Sequence, residues 1–286
     1  KTIYSENEEG DRLEVASACS DFEEGVIVSN KIWDLRRDKN APYSEFVILY
    51  RTNAQSRIFE EALRKKNIPY RIYGGLSFYQ RKEIKDVIGY FRMVVNPYDE
   101  EAFRRTVNFP TRGIGNTTLN KIADAARLHN VSLWEVISNP LGFNLDVNAG
   151  TAKKLTGFKE LIESFIAQLQ ELSAYELATR IVKESGIASD AYQDQTPEGM
   201  SRQENLQELL GGIHEFCESR QEEGLGGIGL MDFLSEVSLL SDQDTDKEAD
   251  KEKVTMMTIH AAKGLEFNNV FVVGLEEDLF PSAMAK

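Results

Sequence analysis

The sequence predicts an α/β fold in which a parallel sheet, discontinuous along the chain, is interrupted by an inserted all-α domain. Short apolar runs at residues 46–50 and 70–73 alternate with helical patterns over the first 80 residues, the spacing of β-α-β units. From Glu83 the apolar period becomes helical, and nothing strand-like returns before Val254. Residues 254–259 and 270–273 then form two apolar runs of strand length, suited to strands buried on both faces of a parallel sheet. The expected organisation is a first sheet portion at 1–80, a helical body at 81–240, a mobile acidic linker at 241–253 and a second sheet portion at 254–286.

Composition bounds the function. The 286 residues suffice for two ordinary domains, and a hydrophobic content of 41% can supply a core to each. No apolar run approaches the ~20 residues of a membrane-spanning helix, and the amino terminus lacks a signal-peptide pattern. A soluble, cytoplasmic protein with no membrane partner is expected. The chain starts at Lys1 and stops soon after Pro281, which reads as a piece excised from a longer protein. Cys19 and Cys217 have no C-x-x-C partner, so two buried thiols are expected rather than a zinc site or a disulfide framework. The formal charge of −14 counts against phosphate binding. The acid is uneven, however, concentrated at Glu6, Glu8, Glu9 and 242–252, whereas Arg104, Arg105, Arg112, Lys121 and Arg127 form a locally basic stretch.

Taken in order, residues 2–4 and 13–19 read as short strands. Residues 21–38 read as a helix opened by Asp21 with Glu24 at capping-box spacing, turning Val26, Ile27, Ile32 and Leu35 inward. After strand 46–50, the string Y-R-T-N-A-Q-S-R at 50–57 leads into a helix carrying Phe59, Ala62 and Leu63. Strand 70–73 closes on Gly74 and Gly75. The string G-G-L-S-F-Y-Q-R-K-E-I-K-D at 74–86 enters a helix of Ile84, Val87, Ile88, Phe91 and Val95, ended by Asn96-Pro97. The string N-F-P-T-R-G-I-G at 108–115 precedes a helix marked by Leu119, Ile122, Ala123 and Ala126. Ser132 with Glu135, Ser173 with Glu176 and Ser201 with Glu204 repeat the capping-box spacing, each announcing a helix. Two stripes, Leu155, Phe158, Ile162, Phe165, Leu169 and Leu172, then Leu206, Leu209, Ile213 and Phe216, read as core. Glycines at 224, 226, 227 and 229 mark a flexible loop.

Loops at the carboxyl ends of parallel strands carry ligand chemistry, so a site is expected at the elbow after strand 254–259. That elbow, T-I-H-A-A-K-G-L-E-F at 258–267, holds Thr258, His260, Lys263, Gly264 and Glu266. His260 either donates to a phosphate or satisfies local backbone, and Lys263 either meets a phosphate or forms an ion pair. Glu266 suits the vicinal hydroxyls of a ribose, and Gly264 permits the tight turn. Arg51 and Asn53 suit a phosphate backbone, whereas Ser56 and Arg57 either join them or serve the following helix. Phe78 and Tyr79 either stack on bases or sit in the core. The G-I-G turn at Gly113, Ile114 and Gly115 leaves backbone N–H groups facing outward, which suits a phosphate, with Arg112, Thr117 and Thr118 adding donors.

These strings resemble, in matching order over nearly the whole chain, motifs of superfamily 1 DNA helicases of the UvrD, Rep and PcrA type. Residues 258–267 resemble motif V, 50–57 motif IVa, 74–86 the G-G-x-x-F-F-x-R-x-E-I-K-D signature and 108–115 motif IVc. The resemblance implies a RecA-like second motor domain with an inserted accessory domain, part of an ATP-dependent 3′ to 5′ helicase of DNA repair or replication. It implies single-strand contacts by Arg51, Asn53, Ser56, Phe78, Thr258 and His260. It implies duplex contacts by Thr111, Arg112, Gly113, Ile114, Gly115, Thr117 and Thr118, and nucleotide contacts by Gly264 and Glu266. Implied cofactors of the longer protein are ATP and Mg2+, and implied partners are single-stranded and forked duplex DNA and the remaining helicase domains. Ser77 and Ser282 stand where some relatives carry a DNA-contacting lysine and histidine. No G-x-x-x-x-G-K-[ST] loop, strand-borne D-E pair, Q-N-Y-R-S segment or motif VI is present, so this piece is expected neither to hydrolyse ATP nor to hold it stably. The rival readings are the motor portion of a recombination helicase-nuclease and a non-catalytic DNA- or protein-binding module.

Overall fold

The computed structural model describes residues 11–226, 228–242, 252–277 and 279–280. Four strands, β1 (Phe46–Tyr50), β2 (Tyr70–Ile72), β3 (Val254–Thr258) and β4 (Asn269–Val272), form one parallel sheet in the order β2-β3-β1-β4. The chain leaves this sheet after β2 and returns in β3, which pairs with both β2 and β1. The interruption therefore lies between strands that are neighbours in space.

Between them run only helices among the described residues: α3 (Lys82–Val95), α4 (Glu100–Thr106), α5 (Asn116–His129), α6 (Leu133–Ser138), α7 (Ala149–Ile166), α8 (Ala174–Glu184), α9 (Ile187–Gln193), α10 (Pro197–Glu222) and α11 (Leu230–Asp242). The fold is α/β, a RecA-like sheet with a helical insert. Among the described residues no helix is long and apolar enough to cross a membrane.

Two cores form. Ile32 and Val28 of α1 (Asp21–Lys39), Phe59 and Leu63 of α2 (Ser56–Lys65), and Phe46, Ile48, Val254 and Met256 of the sheet make the first. Gly25 lets α1 lie against α2, because a Cβ there would sit 2.8 Å from Ile58 Cγ2. The second core, from Phe78 to Val237, includes the stripes of α7 and α10. Leu169 and Leu172 lie beyond the end of α7 yet still pack on it.

Several expectations change. Residues 13–19 form no strand; Leu13 and Val15 are almost wholly exposed, so the apolar residues there gain no partner sheet. The run at 2–4 lies outside the described residues. The run at 270–273 is not buried on both faces: among the described residues β4 has one neighbouring strand, and Val270 and Val272 are half exposed. The cap of α1 is Ser20, whose Oγ accepts from Glu23 N, while Glu23 accepts from Cys19 N. Cys19 is exposed and Cys217 half-buried, not a buried pair. Of the linker, Ser241 and Asp242 belong to α11, and 243–251 lie outside the described residues. Gly227 of the glycine loop lies outside them too, whereas Gly224 takes a left-handed φ of 81°.

Capping boxes form at Ser132–Glu135 and Ser173–Glu176, where the backbone N–H of each serine, and then its hydroxyl, hold the carboxylate below its ordinary pKa. Ser201 and Glu204 do not start a helix. Thr196 caps α10 five residues earlier, with Pro197 in the first turn, where its missing N–H costs nothing. Ser132→Ala and Ser173→Ala should each cost about 1 kcal/mol in urea unfolding, and Ser201→Ala less than about half of that. Equal losses at all three would contradict this placement of the caps.

Candidate nucleic-acid interface

All four strands run the same way, so their carboxyl ends share one rim. Pairing of Tyr50 with Thr258 brings the residues that follow each strand side by side. Arg51 Nη1 consequently lies 3.5 Å from His260 Nδ1, although 209 residues separate them. After β1 the backbone turns at once, because Gln55 Oε1 accepts from both Arg51 N and Thr52 N at 2.9 Å. This box leaves Asn53 exposed at the tip. Gly274, at the end of β4, makes room for Gln55, whose Nε2 stands where a Cβ would project.

The second elbow follows β3. Thr258 Oγ1 accepts from Ala261 N, Lys263 N donates to His260 O, and Leu265 N donates to Ala262 O. Gly264 then adopts φ of 85°, a conformation glycine reaches without the Cβ clash other residues meet. His260, Lys263, Gly264 and Glu266 are exposed there. Glu204 of α10 borders the rim: burial raises its carboxyl pKa, while Arg51 and a hydrogen bond from Thr52 pull it down. Arg51, Asn53, Thr258 and His260 thus share one edge, with Glu266 on the same elbow.

Two expected rim residues are not available. Ser56 is fully buried: its hydroxyl donates to Glu60 Oε1 at 2.8 Å and accepts from Arg81 Nη2 at 2.7 Å. Phe78 is also fully buried, edge-on to Tyr79 with ring centroids 5.3 Å apart, so it has no face to offer a base. Arg57 is buried too. Burial depresses its pKa, but Glu61, Glu208 and Glu215 more than offset this and hold it charged.

Behind the rim sits a buried carboxylate. Glu60 accepts from Ser56 Oγ, Ser77 Oγ (2.6 Å), Phe78 N (3.1 Å) and Tyr70 OH (3.2 Å), and pairs with Arg64 at 3.4 Å. Burial outweighs these contacts and raises its pKa. Ser77 is therefore spent on Glu60 rather than on a ligand. This cluster was not anticipated, although Arg57 with Glu61 and Glu60 with Arg64, each four residues apart on one helix, could have signalled it.

The Gly113 turn lies in the helical body. Gly113 has φ of 72°, and Asn108 Oδ1 accepts from the N–H groups of Arg112 and Ile114. Ile114 is fully buried, and its N–H is spent on Asn108 rather than offered to a phosphate. The Arg112 guanidinium donates to the carbonyls of Thr106, Phe109, Pro110 and Ser185, so it braces the turn instead of presenting charge. Thr111, Gly113, Gly115 and Thr117 are exposed and Thr118 half-buried. Lys154 of α7, overlooked in the sequence, reaches Gly113 O at 3.3 Å. The locally basic stretch is largely neutralised within the chain: Arg105 by Asp86, Lys121 by Asp146 and Arg127 by Asp124. Ser282 lies outside the described residues.

The full chain, residues 1–286, matches the UvrD-like helicase C-terminal domain. It belongs to that family. It is 38% identical over 286 residues to the ATP-dependent DNA helicase PcrA of Leuconostoc citreum, covering all of this chain and 38% of that protein. It is 37% identical over 290 residues to DNA helicase II of Escherichia coli (strain K12), covering all of this chain and 39% of that protein. PcrA of Bacillus subtilis (strain 168) is 38% identical over 286 residues, with 98% of this chain and 38% of that protein covered. The UvrD-like chain thus spans about two fifths of the length of these relatives. Its Glu266, an exposed carboxylate beside the Gly264 turn, has the acceptor chemistry a ribose needs. Among the described residues no three His, Cys, Asp or Glu side chains group as metal ligands.

Proposed function

We propose that this chain is the DNA-gripping part of an ATP-dependent 3′ to 5′ DNA helicase: most of its second motor domain with the inserted accessory body. The meeting of Arg51 with His260 on the carboxyl rim supports this above all else. In this reading Arg51, Asn53 and His260 hold the single strand, and Thr258 fixes the elbow that presents His260. Residues 81–240 form the accessory body and touch duplex DNA through the exposed backbone around Gly113 and Gly115, flanked by Thr111, Thr117 and Thr118. Glu266 and Gly264 complete a nucleotide site whose phosphate-binding parts belong to other domains of the longer protein. ATP binding and hydrolysis with Mg2+ take place there, and the grip on DNA alternates with that cycle.

Arg51→Ala in the full-length protein should weaken binding to a fluorescent single strand about tenfold, since charge-assisted hydrogen bonds are worth ~1.5–3 kcal/mol. Loss of one phosphate contact should also flatten the log–log salt dependence by about 0.7. An unchanged affinity and slope would remove the rim from the DNA path.

A further inference from the structure

Arg81 stands where the chain crosses from sheet to helical body, directly before α3, and it is almost wholly buried. Its guanidinium serves four segments. Nη2 donates to Asn53 O at 2.9 Å and to Ser56 Oγ at 2.7 Å, Nη1 to Asn205 Oδ1 of α10 at 2.8 Å, and Nε to Leu76 O at 3.4 Å. All four acceptors are neutral. Burying a cation against neutral acceptors costs free energy that a packed apolar residue would not. Burial accordingly lowers the pKa of Arg81, with Glu60 acting against it.

What the arrangement secures is geometry. The Asn53 carbonyl is held by Arg81 on one side, and the preceding turn is held by the Thr52–Gln55 box on the other. Between these two restraints the Asn53 side chain is set at the tip of the rim. The same guanidinium grips Asn205, which also donates to Glu83, so the tip is referenced to α10 and α3 of the insert. Only a planar group with several fixed donors can reach all of these at once; an ammonium cannot.

We propose that Arg81 is a positioning residue for the single-strand rim, locking the Asn53 peptide to α10 so that the grip on DNA depends on a side chain DNA does not touch. This rests on the reading of the rim as a single-strand contact. A merely structural Arg81 would lower the fraction of folded molecules, but it would not change the affinity of those that remain.

The test compares Arg81→Lys, Asn205→Ala, Asn53→Ala and the Arg81→Lys/Asn53→Ala double variant in the full-length protein. A fluorescent oligothymidylate is the probe, and stoichiometric titration counts competent molecules. Arg81→Lys and Asn53→Ala should each weaken binding about three- to tenfold, as expected for one lost hydrogen bond. The double variant should bind no more weakly than Asn53→Ala, because one residue acts through the other. Asn205→Ala, which keeps the Arg81 guanidinium and its bonds to Asn53 O, Ser56 Oγ and Leu76 O, should weaken binding in the same direction, and it decides the matter if Arg81→Lys does not fold. Asn53→Ala weakened with Arg81→Lys or Asn205→Ala at wild-type affinity would overturn the positioning role alone, as would losses that multiply in the double variant. Asn53→Ala at wild-type affinity would overturn the rim reading and this role with it.

Discussion

Arg57→Ala is expected to lower the unfolding free energy by about 3–5 kcal/mol, the usual cost of leaving buried charge without its partner. Arg57 is 3% exposed and binds three carboxylates: Glu208 through Nε at 2.7 Å, Glu215 through Nη2 at 2.9 Å and Glu61 through Nη1 at 3.1 Å. Two of these belong to α10 and one to α2, so the guanidinium ties the insert to the sheet. The space it occupies depends on Gly212, where a Cβ would lie 2.7 Å from Arg57 Nη1. Burial already raises the Glu208 carboxyl pKa against the pull of Arg57, and removing Arg57 leaves that raised value unopposed. Glu215 is half exposed, so Glu215→Ala should cost no more than about 1 kcal/mol. Urea unfolding can follow Trp33 of α1 on the sheet side and Trp134 of α6 in the insert, the chain having two tryptophans. A loss for Arg57→Ala no larger than that for Glu215→Ala would show that the cluster does not hold the joint.

Glu60→Ala is expected to be comparably damaging, at about 3–5 kcal/mol, because it takes the acceptor from the buried Ser56 hydroxyl and the buried Phe78 N–H and removes the carboxylate beside the buried Arg64 guanidinium. Ser77, Phe78 N and Tyr70 would lose an acceptor, and Arg64 would lose the carboxylate it pairs with. The pH dependence has a definite sign. The folded pKa of Glu60 is raised above its ordinary 4.5, with burial the largest cause. Its contribution to stability is therefore complete below pH 4.5 and declines as the pH rises through the folded value. The gap between wild type and Glu60→Ala should be widest in acid and narrow towards neutrality. Unfolding midpoints across a pH series check this, and a gap that widens with rising pH would contradict it.

Much of this architecture was legible in local pattern. The runs F-V-I-L-Y and V-T-M-M-T are strands because branched and apolar side chains suit a doubly covered sheet, and both appear within a residue of their expected bounds. The switch to helical spacing at Glu83 marked the insert, since α3 begins at Lys82. Capping boxes at Ser132 and Ser173 were readable because both partners lie within four residues. The same logic failed at Ser201, where Thr196-Pro197 offered an earlier start, and at 13–19, where apolar residues alone do not supply a neighbouring strand.

The order of elements, the interruption of the sheet and the family were thus determined by the sequence itself, because periodicity, turn chemistry and motif strings are properties of neighbouring residues. Which polar residues remain open to a ligand was decided only by the tertiary structure. Ser56 and Phe78, which the sequence left open between contact and interior, and Arg112, which it read as a contact, are spent inside the protein, whereas Arg51, Asn53 and His260 share one rim. The reason is physical: burial and partner choice depend on groups brought together by packing, such as Arg57 and Glu208, 151 residues apart. A short string carries no information about those groups.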